Sequence, residues 1–140
     1  MRLQELVESR EARVVAVEPA ADSAVFFYHD GDRFRTRTEP FRPVLLLSDA
    51  EQLTEWGRTE SEDAASVTPL AGDGAFSWLA SFADGGRYDS ALKFLKKNAD
   101  RPYSVIRDLS QQVLTMLGIR LFREMQFPEL RRLQFDLETL

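Results

Sequence analysis

Two carboxylates near the C-terminus have the spacing for metal chemistry. The segment Arg132-Leu133-Gln134-Phe135-Asp136-Leu137-Glu138-Thr139-Leu140 alternates. A strand with period two puts Leu133, Phe135 and Leu137 on one face and Gln134, Asp136 and Glu138 on the other. Carboxylates at i and i+2 then project side by side, as oxygen ligands do around Mg²⁺ or Mn²⁺ beside a phosphodiester. From spacing alone, the plainer reading is a strand with one polar, solvated face.

A second pattern lies in Arg33 to Thr38, where Arg33, Arg35 and Arg37 alternate with Phe34, Thr36 and Thr38. Three guanidinium groups about 7 Å apart along one strand come close to the phosphate spacing of a single nucleic-acid strand. The acids Asp30, Asp32 and Glu39 flank them. Contact with a strand backbone and an internally balanced sheet face are both compatible with this pattern.

Composition narrows the chemistry. The 140 residues contain no cysteine and one histidine, His29. Thiolate zinc sites, disulfide scaffolds and cysteine nucleophiles are excluded, and multi-histidine metal sites and Ser-His-Asp machinery are not expected. Residues 1–70 hold 8 basic and 14 acidic side chains, a net of −6, and residues 71–140 hold 10 and 9, a net of +1. No apolar run approaches the ~20 residues of a membrane span, and the N-terminus lacks a signal-peptide core. A single cytoplasmic domain without membrane contact is the expectation.

The elements that must carry these residues read as strands first and helices second. Arg13–Val17, Ala24–Tyr28 and Arg33–Thr38 form a meander, with positive φ supplied by Asp30-Gly31 at the second turn. Val44–Leu47 is a continuous apolar run, as in a strand covered on both faces. Ser48-x-x-Glu51 has capping-box spacing and predicts a short helix ending near Gly57. Residues 57–66 are polar, Thr68-Pro69-Leu70 is turn material, and Phe76–Phe82 reads as a strand. In Tyr88–Asn98 the stripe Tyr88, Ala91, Leu92 and Leu95 opposes Lys93, Lys96 and Lys97. A helix over about Ser104–Leu117 should stop at Gly118. Ile119–Phe122 and Leu133–Leu140 are the remaining predicted strands. The fold class is therefore α+β, a mostly antiparallel sheet with about three helices.

The run Leu130-Arg131-Arg132-Leu133-Gln134-Phe135-Asp136-Leu137-Glu138-Thr139 resembles the first exonuclease motif of family B DNA polymerases, an apolar strand ending in Phe-Asp-Ile/Leu-Glu-Thr. Thr38 to Leu47 is similar to that family's Glu-Pro-aromatic lead-in to an apolar strand. Gln111 to Gly118 followed by Ile119 to Phe122 occupies the place of the helix and strand before the exonuclease domain. Bacterial family B-like polymerases and exonucleases are the nearest in pattern. The resemblance is specific at Arg131–Leu140, moderate at 38–47 and 106–130, and faint elsewhere.

The resemblance implies that residues 1–130 are an N-terminal domain and that 131–140 begin a 3′–5′ exonuclease domain, whose sheet receives the C-terminal strand. It implies that Asp136 and Glu138 are two of four acidic ligands for Mg²⁺ or Mn²⁺ in a longer parent involved in DNA replication. The other two ligands belong to motifs absent from these 140 residues, so the fragment is expected to be inactive and metal-free. Its expected partners are single-stranded DNA template, bound weakly, and the exonuclease and polymerase domains of the same chain. In archaeal members the matching Pro-aromatic pair, here Pro40-Phe41, helps line a pocket for a deaminated base. Here the aromatic lacks a hydroxyl and the linker before the first exonuclease motif is shorter, so Phe41 reads as a core residue. His29 reads as a surface turn residue, the three lysines as a solvated helix face, and Trp56 and Trp78 as core anchors. The alternative from another class is a stand-alone α+β interaction module with a coincidental Asp-x-Glu ending.

Overall fold

The computed structural model describes residues 12–129. The chain folds as α+β, with two antiparallel sheets and three α-helices among the described residues. The first sheet has the order β1-β2-β3: β1 (Val14–Pro19), β2 (Ser23–Asp30) and β3 (Arg33–Pro40). The second has the order β5-β6-β4-β7: β4 (Val44–Leu47), β5 (Ala65–Pro69), β6 (Trp78–Phe82) and β7 (Tyr103–Ser104). The apolar run 44–47 is an inner strand, bonded to β6 on one side and β7 on the other. Gly31 takes φ 61° between β2 and β3, the left-handed conformation that favours glycine.

Helix α1 (Thr54–Gly57) follows a 3₁₀ turn at Ala50–Leu53. The capping box there is one residue later than the Ser48–Glu51 spacing predicts. Asp49 accepts from the Glu51 N–H at 2.8 Å, and the Gln52 amide oxygen accepts from the Asp49 N–H at 3.0 Å. Ser48 instead donates its hydroxyl to the Pro102 carbonyl at 2.7 Å, which ties the turn to the start of β7.

Helix α2 (Gly85–Asn98) starts three residues earlier than its apolar stripe, because the Asp84 carboxylate caps the Arg87 N–H at 2.9 Å. Hydrogen bonding from that N–H, with the Arg87 guanidinium alongside, holds the Asp84 carboxyl below its usual range despite some desolvation. Tyr88, Ala91 and Leu95 bury against Leu45, Leu47, Phe82, Leu53 and Trp56. Trp56, Phe82 and Tyr88 meet edge-on at centroid distances of 5.6 and 5.7 Å.

A second core joins Val14, Ala24, Phe26 and Phe41 to Val113 of α3 (Leu109–Met116) and to Ile119. Gln112 links the two cores from a fully buried position. Its oxygen accepts from the Val44 N–H at 2.8 Å, and its amide nitrogen donates to the Tyr88 hydroxyl at 3.1 Å and the Ile106 carbonyl at 2.9 Å. Burial pushes the Tyr88 phenol up, against the opposing effect of the Gln112 hydrogen bond.

Several expectations change. Residues 65–69 form a strand although they read as polar loop and turn: β5 is an edge strand, mostly exposed, where a terminal proline is tolerated. Helix α3 begins at Leu109 rather than Ser104, since Asp108 caps the N–H groups of Ser110 and Gln111 and Tyr103–Ser104 pair with β4. Residues 119–122 are not a strand. Gly118, Phe122 and Glu124 adopt φ of 62°, 62° and 61°, which breaks extended pairing.

Arg13, itself at φ 63°, anchors that turn. Its N–H donates to the Arg123 carbonyl at 2.8 Å, and its guanidinium reaches the Glu129 carboxylate at 2.5 Å and His29 Nδ1 at 3.0 Å. The Arg13 side chain and the Gln126 N–H hold the Glu129 carboxyl below its usual range. His29 is thus a half-buried strand residue, edge-on to Phe34 at 5.5 Å, rather than a turn residue.

Candidate nucleic-acid interface

The register of β2 with β3 decides which way the arginines project. Arg33 lies opposite Asp30, Arg35 opposite Tyr28 and Arg37 opposite Phe26. Directly paired residues share a sheet face, so the arginines lie on the side that carries buried Phe26. Their strand extends beyond the core, and all three are exposed. The Arg37 guanidinium sits 5.4 Å from the Tyr28 ring centre and 5.9 Å from that of Phe26, within cation–π range.

Two of these cations meet acids on the same strand pair. Arg35 Nε is 2.6 Å from Asp30 and Arg37 Nε is 2.7 Å from Glu39. Both pairs are solvent-exposed, so each is weak and open to exchange with a phosphate oxygen.

Strand β3 runs directly into a groove of about 330 Å³ lined by Pro40, Phe41, Arg42, Val44, Thr68, Leu79, Ser81, Met116 and Leu117. Its walls come from the β3–β4 connection, from β4, β5 and β6, and from the end of α3. Phe41 is 5% exposed and packs with Phe26 and Val113, so its ring supports the wall as a core residue. The remaining lining is mainly apolar, with the Thr68 and Ser81 hydroxyls and the Arg42 cation as polar groups. That mixture suits a flat, partly polar ring with an anionic attachment. The alternation of β3 made the arginines readable from sequence. Thr68, Ser81, Met116 and Leu117 carried no such signal, because only the tertiary fold brings them beside Pro40.

Asp136 and Glu138 lie outside the described residues. Among the described residues no group of three or more acidic, histidine or cysteine side chains could hold a metal, and no helix is long and apolar enough to cross a membrane. Lys93, Lys96 and Lys97 are exposed on α2, Trp56 is buried, and Trp78 is half-buried against the same core. The chain matches no protein-family model, no curated protein and no solved structure.

Proposed function

We propose that the chain acts as the N-terminal, template-strand-contacting and scaffolding domain of a family B-like DNA polymerase or 3′–5′ exonuclease, and that it has no catalysis of its own. The observation carrying this reading is the continuity of β3 with the groove. Cations at Arg33, Arg35 and Arg37 are spaced along a strand that ends at Pro40, where a hollow able to take a base opens. Phosphates following β3 would deliver a base to Pro40 and Phe41 without a change of direction.

Asp136 and Glu138 offer the hard oxygen donors that Mg²⁺ or Mn²⁺ prefer. In the parent protein such an ion would polarise a phosphodiester and activate water. Two carboxylates are half of the four-ligand set that the resemblance implies, and on this reading the described residues serve binding and positioning.

Fluorescence anisotropy with a labelled single-stranded oligonucleotide, titrated over a range of salt, tests the reading. Wild type should bind weakly. Replacing Arg33, Arg35 and Arg37 by alanine should reduce the log–log salt slope by about 2, at roughly 0.7 per lost phosphate contact. The oligonucleotide should stay full length with Mg²⁺ present. Equal slopes for the two proteins would remove β3 from the interface. They would favour the second reading, a stand-alone interaction module, which draws on the exposed rings of Phe34, Phe122 and Phe127.

A further inference from the structure

An open groove of about 560 Å³ lies at the β7 edge of the second sheet, lined by Leu92 and Lys96 of α2, Tyr103 and Ser104 of β7, and Val105 and Arg107 beyond it. It shares no lining residue with the groove at Pro40. Its two cations come from different elements, and the fold brings both to one hollow. Among the described residues neither Lys96 nor Arg107 has an ion-pair partner.

No carboxylate lines this groove, although acids lie close in sequence. Asp108, next to Arg107, is occupied in capping α3. Asp100 lines a separate hollow with Asp49 and Arg101, the latter two forming an ion pair. Lys96 lies in the last turn of α2, where a cation also complements the helix carbonyls. That role does not account for Arg107, which belongs to no helix. The rest of the lining is Ser104 and the half-buried Tyr103, Leu92 and Val105, the last three packed against the core below.

Anion-binding groups beside an aromatic and aliphatic surface define an amphipathic, singly phosphorylated ligand. We propose that this groove binds a nucleoside 5′-monophosphate unit, free or at the end of a strand. The phosphate sits between Lys96 and Arg107, and the base rests against Tyr103, Leu92 and Val105. Charge-assisted hydrogen bonds hold the phosphate, and stacking holds the base with little preference among bases.

The test is an NMR titration of the isotope-labelled 140-residue chain with thymidine 5′-monophosphate, a 5′-phosphorylated oligothymidylate, thymidine and inorganic phosphate as separate probes. Thymidine 5′-monophosphate and the oligonucleotide should both shift the amides of Lys96, Tyr103, Ser104 and Arg107. Thymidine and inorganic phosphate should each bind at least about tenfold more weakly, since each lacks one half of the recognised unit. The Lys96→Gln/Arg107→Gln double variant should lose about tenfold or more in nucleotide affinity with an unchanged melting temperature, both side chains being exposed. Inorganic phosphate or thymidine binding as tightly as the nucleotide overturns the proposal. So does full affinity in the double variant, or shifts confined to other residues. Because Arg33, Arg35 and Arg37 are intact throughout, failure here is separable from failure of the strand-binding reading at β3.

Discussion

The second sheet is covered and the first is largely open. Helix α2 seals the second sheet with Tyr88, Ala91 and Leu95, and the aromatic trio of Trp56, Phe82 and Tyr88 fills the space beneath it. On the first sheet α3 and the following turn cover Val14, Ala24 and Phe26, while β3 is exposed almost along its whole length. Surplus apolar area therefore stabilises one sheet, and the other keeps a strand whose side chains are available to a partner. Cation number alone is a poor guide to where an anion would bind. Strand β3 concentrates arginines but pairs Arg35 and Arg37 with acids, whereas the groove at β7 has fewer cations and, among the described residues, none of them in an ion pair.

The contrast is sharpest for two phenylalanines. Phe82→Ala removes a fully buried ring from the covered sheet and should cost about 4 kcal/mol. Phe34→Ala removes a ring that is 64% exposed and should change stability by no more than about 0.5 kcal/mol. Chemical denaturation of both variants measures the difference, and equal losses would show that β3 is packed in solution.

The junction between the two halves gives the next largest effect. Gln112→Ala strands the Val44 N–H and the Ile106 carbonyl and deprives Tyr88 of its donor, which should cost about 3 kcal/mol in the same assay. A loss below about 1 kcal/mol would mean that water replaces the amide and that the halves are held by apolar contacts alone.

The smallest effect lies at the edge of the open sheet. The Glu129 carboxyl titrates lower in the folded chain than in the unfolded one. Its contribution is therefore complete above the ordinary carboxylate range and disappears as pH falls through the folded value. Glu129→Gln should lower the melting temperature at neutral pH and flatten its fall on acidification. A parallel pH profile for the two proteins would remove the Arg13 pairing as a source of stability.

Local patterning made much of this architecture readable in advance. Alternation in 33–38, the apolar run at 44–47 and the Tyr88–Leu95 stripe each express one element's own periodicity. Strand β5 was hidden because its exposure and Pro69 are features of an edge, and edges resemble loops in sequence. The turn at 119–124 was hidden because the positive φ of Phe122 and Glu124 is imposed by the Arg13 contacts, more than a hundred residues away along the chain. Nothing in the local pattern marked Gln112, because its burial depends on partners that only the fold supplies to both ends of its amide. Asp136 and Glu138, the strongest chemical signal in the sequence, lie outside the described residues, so their reading rests on the motif.

Gln112 also bears on the groove at Pro40. Val44 is part of that wall, and Met116 and Leu117 face it from the end of the helix that carries Gln112. The amide therefore fastens the strand of one wall to the helix whose end forms the other. A substitution at Gln112 thus reaches the Val44 wall and the α3 end of the groove together, although Gln112 itself is not among the lining residues.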